Sequence, residues 1–220
     1  MKNTHALPGS APRPEDWHRA ADWYDSHAEG FRAGADAIDT SPLLDRFCEG
    51  MTRPGRVLDL GCGTGRDARA LIERGFNVDA VDASAEMCRL TRTATENRAR
   101  VWQASFAEVP APVPAYDGIW MMASLLHLPK ASWPELASRL VAALRPGGRI
   151  YISVKSGSGE QFCPRGRPMS HARTGELMML MMEAGAAARV RGWTSRGDAS
   201  GGETQTWSNV MAILPGRAAG

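Results

Sequence analysis

Lysine is almost missing from this 220-residue chain: of its 26 basic residues only Lys2, Lys130 and Lys155 are not arginine. That bias is compositional rather than a phosphate-binding signature. Net charge is only +2, and no basic stripe runs along any segment, so a nucleic-acid partner is disfavoured. Cysteine is sparse and scattered: Cys48, Cys62, Cys88 and Cys163 form no C-x-x-C. Neither a zinc site nor a disulfide framework is suggested, and no metal is expected. No apolar run reaches the roughly 18 residues of a membrane span, and residues 1–16 lack the apolar stretch of a secretory leader. No membrane association is expected, and the cytoplasm is the default location. Internal repeats and low-complexity tracts are missing too.

What is present fits one domain. At 43% apolar and 23% charged residues, the 220-residue chain can bury one sizeable core. Its most informative stretch is residues 57–67, Val-Leu-Asp-Leu-Gly-Cys-Gly-Thr-Gly-Arg-Asp. Val57 to Leu60 has the length and apolarity of a buried parallel strand. Gly61, Cys62, Gly63, Thr64 and Gly65 make a tight loop, and Arg66–Arg74 reads as a helix. Strand, glycine loop and helix bring bare backbone close to a bound cofactor. A dinucleotide loop needs G-x-G-x-x-G with a pyrophosphate at the helix N-terminus, but its third glycine would fall on Arg66. Asp59, just before the loop, would repel a pyrophosphate and suits an ammonium.

Around this loop, strands and helices alternate. Strands are predicted at Arg56–Leu60, Asn77–Val81, Arg100–Ala104, Tyr116–Ala123, Arg149–Val154, Ala188–Thr194 and Thr206–Leu214. Helices are predicted at Glu15–Gly30, Pro42–Gly50, Arg66–Arg74, Ser84–Asn97, Ser132–Leu144 and Thr174–Ala184. Alternation of this kind predicts an α/β fold, a parallel sheet with helices on both faces. Residues 1–14, with three prolines, read as a mobile arm.

The D-x-G-x-G-x-G string from Asp59 to Gly65 resembles the first motif of the class I S-adenosylmethionine-dependent methyltransferases. The likeness extends over roughly residues 20–214. It implies a single-domain Rossmann-like, doubly wound sheet of seven strands, with the last strand antiparallel. Residues 15–50 would form a helical lid and residues 51–220 the core. S-adenosylmethionine would be the cofactor and a small molecule the methyl acceptor; the oligomeric state is left open.

The cofactor would meet the loop at Asp59, Gly61, Cys62 and Gly63. Asp82 lies 21 positions after Gly61, at the end of the second strand, where a carboxylate can accept from both ribose hydroxyls. A helix N-cap is its alternative role, though Ser84 can supply that. Ala83 is its neighbour, and Met87 is spaced to cover an adenine edge. Ser105 stands where many family members carry an aspartate, so its hydrogen bond to the adenine amino group would be weaker. Phe106 is placed against the adenine ring. Trp23-Tyr24-Asp25 resembles the family's lid helix, with Tyr24 directed at the methionine carboxylate.

The fourth strand and its turn, Tyr116 to Pro129, resemble the acceptor end of small-molecule methyltransferases. His127 is the histidine placed to act as a catalytic base there, or else to brace the loop. Met121 and Met122 are read as acceptor and cofactor pocket walls respectively, although strand neighbours face opposite ways and one must enter the core. Residues 156–168 are a lid or a solvated loop whose Arg165 and Arg167 would hold an anionic acceptor. Met178, Met179, Met181 and Met182 have helical spacing and suit core packing more than a substrate patch. Cys163 has no histidine partner in sequence and is not expected to be a nucleophile. Trp207-Ser208-Asn209 reads as structural. Three other functions stay open: a cofactor-binding module without transfer, a methyltransferase acting on a macromolecule, and, more weakly, a nicotinamide oxidoreductase. Oxygen, nitrogen, sulfur and carbon acceptors are all compatible with the sequence.

Overall fold

The structure is a computed structural model in which residues 7–108, 115–186, 189–198 and 204–216 are described. Five strands lie parallel: β1 (Arg56–Leu60), β2 (Asn77–Asp82), β3 (Arg100–Gln103), β4 (Tyr116–Met122) and β5 (Leu144–Lys155). β6 (Glu160–Phe162) and β7 (Pro168–Ser170) pair as a separate hairpin, and β8 (Arg189–Asp198) and β9 (Thr204–Ile213) complete the main sheet. Its order is β3-β2-β1-β4-β5-β9-β8, and β9 runs antiparallel to both neighbours. The expected seven-strand doubly wound sheet is therefore present.

Helices α1 (Arg19–Asp36), α2 (Ser41–Cys48), α3 (Arg66–Glu73), α4 (Ala85–Ala94), α5 (Trp133–Ala143) and α6 (Thr174–Glu183) surround it. Strand parity sorts the core into two layers. Val57, Trp120 and Tyr151 pack with Leu44, Phe47 and Leu71 from α2 and α3. Leu58, Ile119, Met121 and Ile152 pack on the opposite face with Leu136, Leu140, Leu177 and Met181 from α5 and α6. Ser84 caps α4, its hydroxyl accepting from the Met87 N–H at 3.1 Å.

Several boundaries differ from expectation. The first helix begins later and runs on to Asp36, because Asp16 closes a separate turn by accepting from the Arg13 N–H at 2.9 Å. The fifth strand starts at Leu144, its pairing with β4 interrupted between Tyr116 and Gly118. The start predicted for the sixth strand, Ala188, lies outside the described residues, and β8 is followed from Arg189. The 156–168 segment is not wholly a loop, since it carries β6 and the turn into β7. From Leu7 on, the arm is anchored: the Gly9 N–H donates to the Phe162 carbonyl at 2.9 Å, and the Phe162 N–H to the Ser10 carbonyl at 3.0 Å. Met181 is in the core, whereas Met179 and Met182 are exposed.

Candidate active site

The strand order reverses between β1 and β4, and open α/β sheets leave a crevice at such a switch point. Here a cavity of about 560 Å³ lies beyond the C-terminal ends of β1, β2, β4 and β5, with α1 contributing to its wall. That volume suits a cofactor-sized ligand.

The glycine loop forms the floor. Gly61 and Cys62 donate their N–H groups to the Val81 carbonyl at 2.8 and 3.0 Å, which ties the loop to the end of β2. Gly61, Gly63 and Gly65 all have positive φ, of 83°, 54° and 84°. A Cβ on Gly61 would lie 2.3 Å from the Ser124 Cβ, and one on Gly65 would lie 2.7 Å from the Thr91 Cα. A Cβ on Gly63 would meet no atom within 4 Å. The first and third glycines thus serve packing, and the second leaves bare backbone facing the cavity. Cys62 is buried, and its sulfur accepts from the Thr91 hydroxyl at 3.2 Å.

Asp59 shares a face of β1 with Val57 and is 2% exposed. Its Oδ2 is buried with no hydrogen-bond partner. Burial, reinforced by the Asp67 and Asp82 carboxylates, holds its pKa well above the usual range. A buried orphan carboxylate oxygen beside bare backbone fits the ammonium of an amino-acid ligand. Asp82 accepts from the Gly63 and Ser84 N–H groups, each at 3.0 Å, and retains capacity for ligand hydroxyls. Burial raises its pKa against those two bonds. The neighbouring Asp79 is turned away and paired with Arg56 at 2.5 Å.

At the acceptor end three elements meet. The Tyr24 hydroxyl from α1 lies 3.0 Å from His127 Nε2, in the turn after β4, and accepts from an Arg167 Nη in the β6–β7 turn. His127 Nδ1 lies 3.4 Å from the Pro168 carbonyl. With Nδ1 carrying the proton, the Tyr24 hydroxyl donates to Nε2. Burial first, then the Arg167 charge, lowers the His127 pKa to about 3. Burial raises that of Tyr24.

Tyr24, Asp59, Gly61, Cys62, Gly63, Asp82 and Ala83 all line this cavity. So do Met87, Ser105, Phe106, Met122, His127, Arg165 and Arg167. Met121 does not: it is fully buried in the layer under α5 and α6, because β4 turns successive side chains to opposite faces. Trp17, Ser124 and Lys155 also line the cavity and carry no motif that would single them out. Trp207, expected to be structural, reaches the wall as well, beside Lys155 in the β5–β9 register. Asp67 is a further lining residue. It accepts from Thr40 at 2.7 Å, Arg66 at 2.7 Å and Trp120 at 2.9 Å, binding α2, α3 and β4 together beneath the loop.

A family profile described as a methyltransferase domain matches residues 57–148. Glycine N-methyltransferase of Rattus norvegicus is 34% identical over 118 residues, covering 46% of this chain and 40% of that protein. An uncharacterized methyltransferase of Geobacillus kaustophilus is 30% identical over 139 residues, covering 63% of this chain and 61% of the relative. The chain thus spans between 40% and 61% of the length of these curated relatives. Among solved structures, the 1,6-didemethyltoxoflavin-N1-methyltransferase of Burkholderia thailandensis, with S-adenosylhomocysteine bound, has a TM-score of 0.72. The similarity covers 97% of both chains at 22% identity and concerns the fold. Residues 57–148 thus match a methyltransferase domain, and the sheet around them has the fold of solved S-adenosylmethionine-dependent methyltransferases. The cofactor of that family is S-adenosylmethionine.

Proposed function

We propose that this protein transfers a methyl group from S-adenosylmethionine to a small-molecule acceptor in the cytoplasm. The observation that carries this is the buried, unpartnered Asp59 oxygen beside the open backbone of Gly63, at the floor of one large cavity. Asp59 would hold the cofactor's ammonium and Asp82 its ribose. Met87, Ser105 and Phe106 would enclose the adenine, with Met122 and Ala83 alongside. Residues 15–50 would act as a lid on the 51–220 core.

When bound, the cofactor supplies a methyl group on a positively charged sulfur. The protein's own task is to bring a nucleophile into line and exclude water, which can lower the barrier by about 7–11 kcal/mol. Neutral His127, with its lone pair taken by the Tyr24 hydroxyl, is better suited to orient Tyr24 than to act as a base near pH 7. The nucleophile would then arrive with its lone pair already free. All four cysteines are buried free thiols, in keeping with a reducing compartment. Among the described residues, no helix is long and apolar enough to cross a membrane.

The test has two stages. S-adenosylhomocysteine at a hundred times its Kd should stabilise the fold by about 2.7 kcal/mol, and NAD should not. Methyl-labelled S-adenosylmethionine incubated with cell extract should then label a small molecule. Label found only in macromolecules would favour a protein or nucleic-acid acceptor. Binding without any labelling would favour a sensor module.

A further inference from the structure

Arg167 is 7% exposed and lies in the cavity wall. Its guanidinium covers the Trp23 ring at 4.3 Å and the Tyr24 ring at 5.0 Å. One Nη donates to the Tyr24 hydroxyl, yet its Nε is buried with no hydrogen-bond partner. Among the described residues, no carboxylate pairs with it. Arg149 also has an unpartnered Nε, but it donates to the Phe47 and Glu49 carbonyls away from the cavity, and two other partly buried arginines are paired. Arg66 holds Asp67 at 2.7 Å, and Arg56 holds Asp79 at 2.5 Å. A buried cation without a counter-ion is strongly unfavourable unless a ligand supplies one.

The cavity is also polarised. Of its four acids, Asp59, Asp67 and Asp82 lie at the glycine loop, Asp67 there paired with Arg66, and Asp22 is on α1. Lys155 and Arg167 both act electrostatically on His127, so positive charge gathers at the opposite, acceptor end. Arg165 lines the cavity two residues from Arg167 in the same turn. Guanidinium favours planar two-oxygen anions, because its N–H groups form a fork that matches them.

We propose that Arg167, steadied by Tyr24 and Trp23, is the anion anchor of the acceptor pocket, and that the acceptor is a small molecule bearing a carboxylate. This rests on the methyltransferase function proposed above. A carboxylate could also come from the amino-acid end of the cofactor, and the experiment separates the two sources.

Binding would be measured by calorimetry on the full chain saturated with S-adenosylhomocysteine. The probes are three acid and amide pairs: acetate and acetamide, benzoate and benzamide, indole-3-acetate and indole-3-acetamide. At least one acid should bind tenfold or more tightly than its amide. Arg167→Gln should erase that preference and Arg167→Lys should keep part of it, with circular dichroism confirming that both variants fold. Equal affinity for acid and amide in every pair, or a preference that survives Arg167→Gln, would overturn the proposal. So would a tenfold loss of S-adenosylhomocysteine affinity in Arg167→Gln with 5′-methylthioadenosine binding unchanged, since the anchor would then serve the cofactor. Failure of the unaltered protein to bind S-adenosylhomocysteine at all would instead remove the methyltransferase function itself.

Discussion

Three glycines two residues apart do different work, and substitution can separate them. Gly61→Ala and Gly65→Ala should destabilise the fold, because the new methyl groups run into Ser124 and Thr91. Gly63→Ala meets open space, so it should lose only the roughly 1–2 kcal/mol of a left-handed alanine while cofactor affinity falls. Urea denaturation and calorimetry on the three variants check this ordering. Asp59 should become a stronger acid when the cofactor's ammonium arrives, because burial raises its pKa without that partner. Binding enthalpy should then depend on the buffer's ionisation heat, and Asp59→Asn should abolish that dependence. For His127 the sign is opposite. The native state keeps it neutral down to about pH 3, while the unfolded chain takes up a proton below about 6.5. Its contribution to stability is complete above pH 6.5 and shrinks as pH falls, by at most about 2 kcal/mol at pH 5. His127→Gln should therefore lose less stability than the native chain between pH 7 and pH 5. The place of the acids and glycines in the cavity was legible because it depends on local spacing. Met121 and Met122 were not separable, since a pair of apolar neighbours does not reveal which one faces inward. Nor was the contact of Tyr24 with His127, which joins residues 103 positions apart.

At the scale of elements, α1 is tied down at several points around the cavity. Asp25 Oδ1 accepts from the Ser84 hydroxyl at 2.6 Å and the Glu86 N–H at 3.1 Å, fastening α1 to the start of α4. Asp36 accepts from the Thr64 hydroxyl at 2.6 Å, fastening the far end to the glycine loop. Between them α1 is kinked at His27 (φ −127°, ψ 15°), whose Nδ1 lies 2.9 Å from the Trp23 carbonyl. If α1 is a lid, Asp25→Ala should speed cofactor release several-fold with little change in association, as stopped-flow fluorescence would show. The parallel strands were readable as short apolar runs bounded by turn residues. The β6–β7 hairpin was not, because three-residue strands amid glycine and proline carry no period.

The whole molecule divides its labour across the sheet. One end of the parallel strands carries the recognition loops, and the two packed layers beneath hold those loops in place. That plan was legible from alternation alone, whereas the anchoring of the N-terminal stretch depends on backbone bonds that no side-chain pattern announces. The exchange of hydrogen bonds by Gly9 and Ser10 with Phe162 makes the front of the chain an added edge to the hairpin that carries Arg167. With Arg167 as the proposed acceptor anchor, Gly9 and Ser10 would bear on substrate choice. Deleting residues 1–10 should raise the acceptor KM and leave cofactor Kd near its native value. A bulky side chain placed at Ser10 would be felt in the same way.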